Sequence, residues 1–228
     1  MAFLEIACFN EESASRAAES GADRIELCKE QSLGGTTPDL STLIALRSTV
    51  SVPINVMIRP RSGDFIYSFV ECSIMRSDIR SFAEAGAAGF VFGVLTDDHK
   101  IDLTLNAWLV SEAAGKPCTF HRAFDELEGE ADEIELQLEV LIKCGFKAVL
   151  TSGGAPNAVE GRQRLARLVE RANGRIDVIV GGGVRSDNVE VLRETGASWF
   201  HSSAIVDGGE VASGQEVRAL KEKLDSWH

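Results

Sequence analysis

Short runs of β-branched and apolar residues alternate along this chain with longer segments whose apolar positions recur at helical spacing. The runs predict strands at Phe3–Cys8, Arg24–Cys28, Ile54–Ile58, Gly89–Phe92, Cys118–His121, Ala148–Thr151, Asp177–Val180 and Trp199–Ser202. The segments between them predict helices near 11–20, 39–49, 71–85, 103–114, 132–144, 157–173, 186–195 and 213–226. Leu165, Leu168, Val169 and Ala172 fall at i, i+3, i+4 and i+7, one face of such a helix. Punctuation agrees with the pattern. Gly21, Gly86, Gly145 and Gly196 each follow a helical stretch and precede a strand, where glycine most readily takes a left-handed residue. Asn157 and the pair Ser186 and Asp187 offer side-chain oxygens for N-caps. Eight strand–helix units in 228 residues leave about 28 residues each, near the ~250-residue total usual for an eight-stranded β/α barrel. The expectation is an α/β protein: one (β/α)8 TIM-barrel domain over 1–228, with no linker or low-complexity tract. A doubly wound open sheet is the rival, weakened by the eighth unit and by the lack of an N-terminal GxGxxG.

Strand residues that face helices should be apolar, and the exceptions share one phase. They are Glu5; Arg24 and Glu26; Asn55 and Arg59; Thr119 and His121; His201 and Ser203. Because side chains alternate faces along a strand, these residues turn into the barrel while Ile25, Leu27, Ile54, Val56 and Ile58 face the helices. Unpaired buried charge is expensive. The lumen therefore holds either internal ion pairs, Glu5 and Glu26 against Arg24 and Arg59, or a polar ligand pocket. A pocket would open at the C-terminal ends of the strands, where this barrel keeps its active sites, lined by Glu26, Arg59, His121 and Ser203.

The loops after the strands add candidate chemistry. RPRSGDF (59–65) groups the guanidiniums of Arg59 and Arg61 with Asp64, and the planar fork of arginine suits carboxylate or phosphate. HRAFD (121–125) places His121, Arg122 and Asp125 together, a plausible acid–base set or a network that merely ties down the loop. GGGVR (181–185) and HSSA (201–204) follow the seventh and eighth strands. In this barrel those loops often hold phosphate, here with Gly182, Gly183, Ser202 and Ser203 as donors.

Charge and composition narrow the partners. Acidic residues outnumber basic ones by 35 to 23, a formal charge of −12, which repels nucleic acid and anionic membranes. The first residues, MAFLEIACFNEES, carry no basic segment and only a brief apolar run, so no signal peptide is expected, and no stretch approaches the ~20 apolar residues of a membrane span. Five dispersed cysteines, Cys8, Cys28, Cys72, Cys118 and Cys144, with no CxxC spacing, predict reduced thiols and a cytoplasmic setting rather than disulfides or zinc.

Several of these segments together resemble the CutC family, named for copper homeostasis. They are LEIACF (4–9), GADRIELC (21–28), GGTTP (34–38), MIRPRSGDF with Tyr67 (57–67), GFVFGVLT (89–96), TFHRAFD (119–125), VLTSGG (149–154), GGGVR (181–185) and FHSSA (200–204). Ser62 departs from a glycine common in the family. The resemblance implies a cytoplasmic (β/α)8 barrel, often a homo-oligomer, that handles copper. It also implies Cu(I) ligands at Cys8 and Cys28, although by alternation Cys28 shares the phase of Glu26 whereas Cys8 opposes that of Glu5. Two functions stay open. One is copper binding or trafficking through these cysteines, since Cu(I) prefers soft sulfur. The other is an enzyme acting on a small phosphorylated or carboxylated metabolite. There Arg59 and Arg61 would bind the anion, His121 with Asp125 or Glu26 would move protons, and the last two loops would hold phosphate.

Overall fold

Eight parallel strands pair in chain order and the last closes on the first: β1 (Phe3–Cys8), β2 (Arg24–Leu27), β3 (Ile54–Met57), β4 (Gly89–Phe92), β5 (Cys118–Phe120), β6 (Ala148–Thr151), β7 (Asp177–Val180) and β8 (Trp199–Ser202). The computed structural model describes residues 1–129, 131–206 and 208–227. Register brings the polar residues to common levels: Glu5 lies opposite Arg24 on one side and His201 on the other, and Glu26 lies opposite Asn55.

The helices return outside the barrel: α1 (Glu11–Glu19), α2 (Leu40–Leu46), α3 (Phe69–Glu84), α4 (Leu103–Glu112), α5 (Ala131–Cys144), α6 (Ala158–Ala172), α7 (Val189–Leu192) and α8 (Gly214–Asp225). Asn157 caps α6 by accepting from Glu160 N, as its position predicts. Ser68 and Glu71 form a reciprocal capping box on α3. At the other end of α3, Gly86 turns the chain into β4 at φ 93°, a region closed to most L-residues. Strands and helices enclose the main core, which includes Ile25, Leu27, Ile54, Val56, Ile58, Phe90, Phe92, Phe120 and Phe200. Burying each such side chain is worth about 1.5–3 kcal/mol.

Two departures from the sequence reading have local causes. β2, β3 and β5 stop one residue early, at Leu27, Met57 and Phe120. Past β2, a bridge between Lys29 and Thr36 folds the loop back; past β5, His121 caps a 3-10 turn, Arg122–Glu126. The helix expected over 186–195 is reduced to α7 and a 3-10 turn, Arg193–Thr195. Ser186 is not its cap. Ser186 N and Oγ donate to Glu216, while Asn188 accepts from Arg185 N and donates to Gly183 O, so these residues belong to the loop.

Candidate functional site at the barrel mouth

A pocket with about 470 Å³ of empty space opens at the C-terminal ends of the strands. Its lining includes Phe9, Glu26, Cys28, Met57, Arg59, Phe65, His121, Arg122 and His201. Below it, the lumen holds a buried charge network. Arg24 Nε donates to Glu5 Oε2 at 2.6 Å, and its guanidinium stacks 3.8 Å above the ring of Trp199. Glu5 Oε1 lies 2.7 Å from His201 Nδ1, and His201 Nε2 faces Glu26 Oε2 across 3.8 Å. The thiol of Cys28 donates weakly to Glu26 Oε2 at 3.5 Å, while Glu26 Oε1 is buried with no hydrogen-bond partner among the described residues.

Environment pushes the two carboxyls apart. Burial alone would raise Glu5, but Arg24 and His201 override it and bring it down to about 2. Burial dominates at Glu26 and raises it, because His201 offsets only part of the desolvation. Burial opposes charge on His201, yet the carboxylates of Glu26 and Glu5 outweigh it and raise its pKa. His121 differs in kind. Desolvation, helped by Arg59, lowers it to about 3, so it is a neutral imidazole at pH 7. Its Nδ1 accepts from Ala123 N at 3.3 Å, which assigns the proton to Nε2; that N–H is buried without an acceptor among the described residues. Gly93 makes room for this ring, since a Cβ there would stand 2.9 Å from His121 Nδ1.

The remaining expected site residues divide. Arg59 is buried, its Nη groups spent on the carbonyls of Leu33, Gly35 and Gly63, with Nε unpartnered. Arg61 and Asp64 do not line the pocket. Arg61 pairs with Asp64 and Glu71 and donates to Ile66 O, which fixes the loop to α3. Asp125 meets neither His121 nor Glu26. It accepts from Thr151 Oγ1, Ser152 N, Ser152 Oγ, Gly154 N and Arg122 Nε, and so holds the loop after β6. Arg122 stays half-exposed at the rim beside Gly182, whose φ is 96°. Ser202 and Ser203 are taken up by Arg185, and Ser203 does not line the pocket. The amides of Gly182 and Gly183 find no acceptor among the described residues.

The two cysteines face opposite ways. Cys8 packs into the core between strands and helices, its thiol on Ile6 O, whereas Cys28 joins Met57, Val91 and Phe9 inside the barrel. Burial raises both thiols well above the ordinary range, with Glu26 the next cause in each. The inward phase of Glu5 and His201 is visible in the sequence, and the expected ion pair of Glu5 with Arg24 forms, but nothing in the sequence ties Glu5 to His201.

Fold and site together define a (β/α)8 barrel with a pocket at its mouth over a buried carboxylate–histidine network. The chain matches the CutC family over residues 2–206. It is 45% identical over 202 residues to the human "copper homeostasis protein cutC homolog", covering 88% of this chain and 72% of that one. The Caenorhabditis elegans homologue is 42% identical over 240 residues, covering 97% and 94%. The crystal structure of a CutC protein from Streptococcus agalactiae superposes with a TM-score of 0.83 at 31% identity, covering 89% and 99%. An aldolase structure at 15% identity, TM-score 0.69, covering 98% and 95%, attests the barrel alone. This chain belongs to the CutC family.

Proposed function

We propose that this chain is a cytoplasmic copper-homeostasis protein that takes Cu(I) as cargo at the barrel mouth, with Cys28 as the anchoring ligand. The observation that carries this reading is the pairing of the Cys28 thiol with the Met57 thioether in the wall of one pocket. Thiolate and thioether are the donors Cu(I) prefers. Because Cys28 is held as a thiol, capture releases a proton. Five free, buried cysteines suit a reducing compartment. Cys8 lies on the far face of the strand layer, so Cu(I) is anchored without it. The test is a competition titration with a Cu(I) chelator under reducing conditions on the wild type, Cys28→Ser and Cys8→Ser. Cys28→Ser should lose on the order of tenfold or more in affinity, while Cys8→Ser stays near wild type. Equal, complete loss in both would restore a two-cysteine site, and unchanged affinity in both would remove the cysteine mechanism.

A second reading, a small anionic ligand at the rim, is favoured by unused donors. Among the described residues His121 Nε2 and Arg59 Nε are buried without acceptors, the amides of Gly182 and Gly183 have none, and the half-exposed guanidinium of Arg122, held by Asp125 and Ser152, lies beside them. Buried donors left without acceptors cost about 1–3 kcal/mol each, which a carboxylate or phosphate would relieve. Inorganic phosphate should then shift the amide resonances of Arg122, Gly182 and Gly183; silence at all three ends this reading.

A further inference from the structure

We propose that the floor of the pocket is a binding site for a divalent transition-metal ion, with His201 Nε2 and the Glu26 carboxylate as ligands and Glu5 as the group that orients the histidine. The site shares the pocket of the copper reading but not its anchoring sulfur.

Ligand atoms of Glu5, Glu26 and His201 all lie within 4.8 Å of one another. The spacing between His201 Nε2 and Glu26 Oε2, 3.8 Å, is too long for a hydrogen bond. It suits two ligands of one ion, since donors each about 2.0–2.2 Å from a metal stand roughly 3–4 Å apart. Glu26 supplies a second, independent sign. It is 3% exposed, and its Oε1 has no hydrogen-bond partner among the described residues. A native fold rarely leaves a buried acceptor orphaned, and a cation is what a lone carboxylate oxygen lacks.

Glu5 completes the arrangement. Its Oε1 sits 2.7 Å from His201 Nδ1, so the Nδ1 proton is held there, and Nε2, which releases its own proton when a metal binds, is aimed at the pocket. A carboxylate behind the histidine is the usual second partner of a metal-bound imidazole. Arg24 occupies the other oxygen of Glu5 and balances its charge, which keeps Glu5 in the orienting role. Imidazole and carboxylate are borderline-to-hard donors, so the ion is of the Zn(II) or Co(II) class rather than Cu(I). Coordination positions not filled by protein face the pocket, where water or a bound ligand can take them.

The experiment uses the full chain after metal removal, titrated with Zn(II) by calorimetry and with Co(II) by visible absorption. One saturable equivalent is expected. His201→Asn and Glu26→Gln should each weaken it by about 100-fold, Glu5→Gln by about 10- to 100-fold, and Cys28→Ser by only a few-fold. Circular dichroism checks that each variant is folded. Zn(II) added to the wild type should also shift the side-chain 15N signals of His201 and leave those of His121 in place, a readout that needs no variant. Absence of saturable binding to the wild type, or full affinity in both His201→Asn and Glu26→Gln, overturns the proposal. The Cu(I) titration run in parallel separates this failure from failure of the copper reading, because that one turns on Cys28.

Discussion

Asp125 shows how far one side chain can depart from the role its neighbours in sequence assign to it. Beside His121 in HRAFD it reads as half of an acid–base pair. In the fold it collects five donors from the sixth-strand loop and Arg122, and reaches no imidazole. Removing it strands the amides of Ser152 and Gly154. Asp125→Ala should therefore cost about 2–4 kcal/mol in urea unfolding and raise hydrogen exchange at those two amides. A loss below about 0.5 kcal/mol would show that the network is slack. Glu26, Arg59 and His121 were legible from strand phase alone, since alternation decides which face a residue takes. Arg61 and Asp64 were not, because their direction depends on Glu71, a residue of the next helix that no local pattern ties to the loop. Glu5 and His201 carried the right phase, but their pairing depends on β1 meeting β8 across the closure of the barrel.

At the scale of elements, all eight strands and their helices stand close to where hydrophobic periodicity puts them. The errors fall at ends, where polar side chains compete with the backbone ladder for partners. β5 yields to a 3-10 turn because His121 Nδ1 captures the amide of Ala123. The start of the seventh helix is consumed by Ser186 and Asn188. Neither competition is visible without knowing that Glu216 of α8 and the Gly183 carbonyl lie within reach. These disputed ends border the pocket, so the least legible backbone is also the part that shapes the site.

At the scale of the whole molecule, the buried network ties stability to pH with opposing signs. Glu5, at about 2 rather than the ordinary 4.5, stabilises the fold above pH 4.5 and ceases to do so as pH falls toward 2. His121, at about 3 rather than 6.5, contributes above pH 6.5 and loses that contribution as pH falls toward 3. Glu26, raised above 4.5, acts the other way: it favours the fold at low pH and ceases to do so as pH rises through its elevated value. Between pH 6.5 and 4.5 the His121 and Glu26 effects oppose one another, and His201, raised above 6.5, also favours the fold as pH falls through its elevated value. Urea unfolding at pH 7, 5.5 and 4.5 should therefore show His121→Gln gaining stability relative to the wild type as pH falls. Identical slopes would mean that the imidazole titrates freely and is not desolvated as its surroundings require.

The arginine–tryptophan stack at the base of the lumen governs more than charge. Phe3 lies flat against Trp199, Arg24 covers the ring, and Glu5 locks Arg24 in place, all at the N-terminal ends of the strands. Leu150 and Ile179 fill the adjoining interior. The barrel is thereby a cul-de-sac rather than a conduit. Whatever enters must leave by the same doorway, past Phe65 and Arg122, and an occupant bars the next arrival until it has gone. Loading and unloading are mutually exclusive events at one threshold. Under the copper reading proposed above, a recipient for the ion has to present itself at that same threshold.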